Sequence, residues 1–227
     1  RWRGWQDFGT GALGDMGCHV MDAPFWALKL GEASSFSVEA DSTGVNSETY
    51  PRASTVRYTF PARGDMPPVT VTWHDGGRLP ERPPEMPETR GLGGNGTMFV
   101  GKKGKLLCGA VASVNDPDDD VPLLLPRSLA GSYRRAPKKL PRIEGPWEHN
   151  WVGNHEHDWV DCCREGKEAC SSFDYAGPLT EMVLLGNVAL LSGSRLDWDR
   201  DEMKVTNEPG ANSLLRREYR QGWTLQA

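Results

Sequence analysis

The chain has 227 residues, of which 37% are hydrophobic and 25% charged, and its formal net charge is −5. That length suits one large domain or two small ones. An acidic chain with no basic stripe is a poor nucleic-acid binder, and the absence of a bilayer-length apolar run argues against a membrane-spanning helix.

Gly and Pro, 26 and 17 residues, make up about a fifth of the chain, which implies turn-rich connections. The five cysteines are Cys18, Cys108, Cys162, Cys163 and Cys170. Their odd number and lack of CxxC spacing predict free thiols, favouring a reducing, cytoplasmic compartment over the periplasm. The chain opens on Arg1-Trp2-Arg3-Gly4-Trp5 without Met, so its start carries no targeting information.

Ala12 to Leu30 carries helical signals. Leu13, Met16, Val20, Phe25 and Leu28 recur at helical steps, and Gly31 follows as the expected C-cap. Pro24 falls inside this pattern and should kink or split the helix. Three alternating stretches follow: Phe36-Val38-Ala40, Val56-Tyr58-Phe60 and Val69-Val71-Trp73. Each predicts an antiparallel strand with one buried face. After a Pro-rich loop from Gly76 to Glu88, Thr97–Val100 and Lys105–Cys108 flank Gly101-Lys102-Lys103-Gly104 as a β-hairpin. Residues 115–147 hold few periodic signals and predict a long surface excursion. Helices are expected at Glu156–Arg164 and Leu179–Leu191, the second apolar almost all round and therefore buried. Short strands at Arg195–Trp198 and Met203–Thr206 close the core, and the tail is irregular or briefly helical.

Strands do not alternate regularly with helices, so βαβ units are not supported. The expectation is a single α+β domain over 1–227, with an open, mainly antiparallel sheet and helices packed on one face.

Gly9-Thr10-Gly11-Ala12-Leu13-Gly14 matches the dinucleotide fingerprint G-x-G-x-x-G. That fingerprint works only when a buried strand enters the glycine turn and a helix leaves it. The preceding Arg1–Phe8 has no β-branched run and carries three charges. Asp15 would put a carboxylate beside the bound phosphates. The stretch is therefore not read as a Rossmann site. Asp15, His19 and Asp22 instead share one face of the predicted helix, and Gly11, Gly14 and Gly17 leave the surface beside them bare. An imidazole with a carboxylate one turn away is a proton-transfer pair. The competing reading is a structural histidine tied to a local carboxylate.

Gly11-Ala12-Leu13-Gly14-Asp15-Met16-Gly17-Cys18-His19, continued by Asp22, resembles the G-x-x-x-D-x-G-x-H-x-x-D segment of the glucose–fructose oxidoreductase/inositol dehydrogenase (Gfo/Idh/MocA) family. The resemblance, to a bacterial subgroup, extends to Trp2–Trp5, Trp73–Gly77, Gly94–Thr97, Gly101–Gly104, Asn154–Trp159, Phe173–Glu181 and Leu196–Asp199. It implies the C-terminal substrate-binding domain of an NAD- or NADP-dependent oxidoreductase acting on a sugar, polyol or glycoside. His19 would be its catalytic acid/base, and Asp15 would orient it or bind substrate. It also implies an N-terminal Rossmann domain that this chain does not contain. The Glu-Lys-Pro motif of that domain occurs nowhere here, so the chain is expected to be inactive alone. Homodimer or homotetramer formation follows from the same resemblance. Gly11 and Gly14 would then lie toward the nicotinamide.

Other residues complete the candidate site. Trp5, beside the motif, and Trp73 or His74, at a strand end, suit a sugar-pocket rim, where rings stack and polar groups bind hydroxyls. The alternative at Trp73–Gly77 is ordinary turn chemistry. In Asn154-His155-Glu156-His157-Asp158, His155 is the preferred pocket residue. No third ligand accompanies the two histidines, and a helix start with acids in its first turn explains Glu156 and Asp158, so no metal site is assigned. The acid run Asp118–Asp120 lacks the EF-hand pattern and is read as solvated loop. The other function classes are a stand-alone carbohydrate-binding or oligomerisation module, and a metal-assisted lyase or hydrolase on oxidised sugars.

Overall fold

The computed structural model describes residues 2–86, 88, 91–109, 123–129 and 151–223. Helix α1 spans Gly11–Ala27, and strands β1 (Ser35–Ser42), β2 (Ser54–Phe60) and β3 (Val69–His74) follow. β4 (Thr97–Gly101), β5 (Gly104–Cys108) and β6 (Leu123–Leu125) come next, then helices α2 (Trp151–Glu165) and α3 (Phe173–Ser192). β7 (Leu196–Asp199) and β8 (Lys204–Val205) close the sheet, and a short 3-10 helix at Pro209–Leu215 ends the described fold. The main sheet has the order β3-β2-β1-β7-β8, and β4-β5-β6 form a separate small one. Every pairing is antiparallel. The α+β class with an open antiparallel sheet is therefore as expected.

Alternation decides the two faces of the main sheet. Phe36 and Val38 on β1, Val56, Tyr58 and Phe60 on β2, and Leu196 and Trp198 on β7 point inward. There they meet Leu13, Met21 and Phe25 of α1 and Met182, Val183 and Leu185 of α3 in one buried cluster. Phe36 stacks on Phe60 at 4.8 Å between ring centroids. The outer face carries Ser37, Glu39 and Asp41 opposite Thr59, Arg57 and Thr55, and these in turn opposite Thr70, Thr72 and His74. A polar outer face and an apolar inner face are what a one-sided antiparallel sheet requires.

Helix α1 continues through Pro24 without splitting and ends at Ala27, short of the expected Leu30. Gly31 is not its C-cap. The chain leaves the helix through Leu28, and Lys29 takes a left-handed conformation (φ 52°) before a 3-10 turn at Leu30–Glu32. Buried Arg63 secures this end: its Nε donates to the Leu28 carbonyl at 2.8 Å, and its Nη1 donates to the carbonyls of Pro61 and Pro67. A guanidinium on the C-cap carbonyl both satisfies it and suits the negative pole of the helix.

The predicted hairpin at Lys102-Lys103 forms, with Thr97 opposite Cys108 through Gly101 opposite Gly104. Leu123–Leu125 is a strand inside the segment expected to be a loop, because pairing with β5 satisfies its backbone. The acid run at 118–120 and most of the remaining excursion lie outside the described residues. α3 begins at Phe173, six residues before the expected start, and carries Pro178 in its second turn. α2 begins at Trp151, so Glu156 and Asp158 are not first-turn acids.

Candidate functional site

The glycine stretch lacks the context of a dinucleotide fingerprint. Residues 2–8 form a 3-10 turn (Trp2–Gly4), further turns and a single bridge from Trp5 to Thr49, and no strand runs into Gly9. The clearance its glycines give is taken up by this chain. Gly11 has φ +67°, and a Cβ there would lie 2.9 Å from the Tyr50 ring. The space over Gly14 holds the Thr10 side chain, and that over Gly17 holds Val183 of α3. Neither Gly11 nor Gly14 leaves its Cβ position open to a ligand. The bare positions serve internal packing, and Gly17 lets α1 and α3 approach closely.

The polar side chains that α1 presents outward are Asp15, His19 and Asp22, all exposed. The two carboxylates are each held from outside the helix. Arg3 Nε lies 2.7 Å from Asp15 Oδ1, and its guanidinium also stacks over the Trp2 ring, 4.9 Å from the centroid. Tyr175 Oη donates to Asp22 Oδ1 at 2.5 Å. His19 lies between them along the face and makes no hydrogen bond or ion pair among the described residues. The expected Asp15–His19 contact is thus replaced by an Asp15–Arg3 ion pair, because the N-terminal turn folds its cation onto the first turns of α1. Burial, and then the Asp22 carboxylate, push the Tyr175 hydroxyl far above the usual tyrosine range, so it stays a donor.

The remaining predicted residues do not converge on this face. Trp5 is 43% exposed in the turn before α1. Trp73 is a core residue rather than a rim residue: it is buried, and its indole Nε1 donates to Asp75 Oδ2 at 2.8 Å. Asp75 also accepts from the Ser54 backbone N–H and hydroxyl, locking the end of β3 to β2. His74 points to the opposite side of the sheet from α1. Its Nδ1 lies 3.5 Å from Thr55 Oγ1. Burial, then the nearby Arg57 and Arg78, hold its pKa below the ordinary histidine value. His155 lies on α2, where its Nε2 is 3.0 Å from Ser171 Oγ. It lines a pocket of ≈ 390 Å³ with Asp158, Trp159, Val160, Cys170 and Ser171, and no α1 residue lines that pocket.

Asp158 accepts from the Cys170 N–H at 3.0 Å, closing the turn after α2, which is the role its position in the helix interior gives it. Among the described residues no group of three or more His, Cys, Asp or Glu is placed to hold a metal ion. All five cysteines are free thiols. No helix among the described residues is long and apolar enough to cross a membrane.

Two residues that position the site were not singled out from sequence. Arg3 carried no local signal, since its contact depends on a turn. Tyr175 sits in the quoted Phe173–Glu181 motif, but spacing alone does not show that it reaches α1. Comparison with protein-family models gives no match, and comparison with curated proteins gives none. The fold and geometry define an α+β domain with an exposed histidine set between two tethered carboxylates on a surface helix.

Proposed function

We propose that this chain is the substrate-binding and acid/base domain of an NAD(P)-dependent oxidoreductase acting on a hydroxyl or keto group of a sugar, polyol or glycoside. The observation that carries the reading is His19: an exposed imidazole without a hydrogen-bond partner among the described residues, between Asp15 and Asp22 on one helix face. A general base must reach a substrate proton directly, and His19 has both ring nitrogens available for that. Imidazole is the side chain suited to exchanging protons near neutral pH.

The residues present do not build a cradle for a dinucleotide, since no strand enters the glycine turn. In this reading a dinucleotide would be held by a separate Rossmann domain and would supply the redox chemistry. His19 takes the hydroxyl proton as the carbonyl forms and returns one in the reverse direction. Asp15 and Asp22 supply acceptors for neighbouring hydroxyls, and Trp2, stacked with the Arg3 that holds Asp15, adds an apolar surface at that end of the face.

The test uses the intact protein with NAD⁺ or NADP⁺ and a panel of sugars and polyols. His19→Ala should lower kcat by roughly 10²–10⁴-fold, the usual scale of a positioned acid/base. A rate within a few-fold of wild type would remove the proposed role.

A further inference from the structure

We infer that Tyr175 is a positioning residue for substrate recognition on the His19 face, holding Asp22 as the acceptor for a hydroxyl next to the reacting one. The inference rests on the oxidoreductase reading above. Tyr175 lies in the first turn of α3, and its hydroxyl crosses to α1 to donate to Asp22 Oδ1 at 2.5 Å. The ring is fixed by an edge-to-face contact with Phe25, 5.8 Å between centroids and 81° between planes. Phe25 itself is buried in the core. The hydroxyl is therefore aimed by packing rather than by solvent.

The two carboxylates beside His19 are held in different ways. Asp15 faces a cation, Arg3, which offsets its charge. Asp22 faces a neutral phenol, which orients it and leaves its charge intact. Among the described residues no hydrogen bond reaches Asp22 Oδ2. An aligned carboxylate with one free oxygen, one helical turn from His19, is an acceptor for a substrate hydroxyl. A substrate with adjacent hydroxyls could then give one to His19 and the other to Asp22. Carboxylates that accept from a donor of fixed direction lose less freedom on binding, so the alignment favours affinity.

The test compares Tyr175→Phe, Asp22→Asn, the double variant and His19→Ala in the intact enzyme, with D-glucose, D-galactose and myo-inositol as probes. Tyr175→Phe keeps the Phe25 contact and removes only the donor. Its KM should rise about tenfold for an accepted probe while kcat stays within about threefold, the pattern of lost uniform binding. In the Asp22→Asn background the same change should add less than about twofold. KM unchanged in Tyr175→Phe, or fully independent effects of the two substitutions, would overturn the inference. Loss of activity in His19→Ala together with an unchanged Tyr175→Phe would overturn it while leaving the oxidoreductase reading intact. Urea unfolding of wild type, the two single variants and the double variant reads the contact without turnover. Coupling of at least about threefold in the folding constant supports it, and no coupling overturns it.

Discussion

Thr97 on β4 donates its hydroxyl to the backbone carbonyl of Val20 on α1 at 3.0 Å. In an unbroken helix that carbonyl would accept the N–H four residues on. The residue there is Pro24, which has no N–H. The threonine supplies the hydrogen bond that the proline withholds, and it does so from the small sheet. This explains how α1 passes through Pro24 without splitting.

The pairing predicts a conditional effect. Thr97→Val leaves a carbonyl without a partner and should destabilise by about 1–3 kcal/mol. In a Pro24→Ala background the new alanine N–H completes the helical bond, and Thr97→Val should then cost well under half as much. Urea unfolding of the four-member cycle measures this. Equal costs in both backgrounds would mean that the proline and the threonine are unrelated.

The close approach of α1 and α3 makes a second prediction. A Cβ on Gly186 would strike the Tyr58 hydroxyl and Leu13, both fully buried. Gly186→Ala should cost about 1–3 kcal/mol by overpacking. A Cβ on Gly17 would lie 2.9 Å from Val183 Cγ1 and 3.2 Å from the flexible end of Met21. Gly17→Ala should cost less, because its overlaps are smaller than the 2.2 and 2.5 Å contacts at Gly186, while helix propensity returns about 1 kcal/mol at either position. Trimming the neighbour in Gly17→Ala/Val183→Ala should remove the clash, though not the loss of the valine's own packing. Thermal unfolding of the three variants ranks them, and a stabilising Gly186→Ala would refute the contact.

The inner Glu181–Arg200 pair gives a third. Arg200 Nε and Trp198 Nε1 each donate to Glu181 Oε1 at 2.9 Å. Arg200 Nη1 donates to the carbonyls of Gly31 and Ala33 at 2.7 Å, tying the loop before β1 to β7. The two side chains are only 14% and 13% exposed. Glu181→Ala strands a guanidinium with little solvent and should cost about 3–5 kcal/mol. Glu181→Gln keeps an acceptor for both donors and should cost clearly less. Similar losses for the two would argue against the shared-acceptor arrangement.

How much of this was legible from sequence varies with the physics of each element. The period-two runs at Phe36, Val56 and Val69 gave the three strands and their faces, because alternation is the direct record of one-sided burial. The same rule already placed Trp73 with Val69 and Val71 on the inner face, against its assignment to a pocket rim. The start of α3 was hidden by Gly177 and Pro178, residue types that disfavour a helix interior, yet the helix carries both. Leu123–Leu125 is too short to show a period. On α1, the shared face of Asp15, His19 and Asp22 followed from spacing. Their actual partners, Arg3 and Tyr175, depend on a folded turn and on a second helix, and no local pattern encodes such contacts.

His74 makes the fold sensitive to acid in a definite direction. Burial, Arg57 and Arg78 lower its pKa in the folded chain, while Asp75 acts weakly the other way. The native state therefore binds this proton less readily than the unfolded chain. Its contribution to stability is complete above the unfolded histidine value of about 6.5 and is lost as pH falls through the lower, folded value. His74→Asn should flatten the decline in melting temperature over that window. Arg78→Ala should move the His74 titration, followed by NMR, back toward the ordinary value. A His74 titration at or above the ordinary value would contradict the assignment.

The Arg3–Asp15 pair separates stability from function. Both side chains are about half exposed, 51% and 41%, so the pair should contribute little to folding. Arg3→Ala should shift the unfolding free energy by less than about 1 kcal/mol. On the proposed reading, however, Arg3 sets the direction of Asp15 one turn from His19, and small displacements beside a reacting group carry large kinetic penalties. In the intact enzyme kcat/KM for an accepted sugar should fall about tenfold or more, and Arg3→Lys should recover part of the loss by restoring the charge. The comparison is decisive because the two readouts move apart. A destabilised protein with normal turnover would make the ion pair purely structural, whereas a stable protein with reduced turnover places Asp15 in the working site.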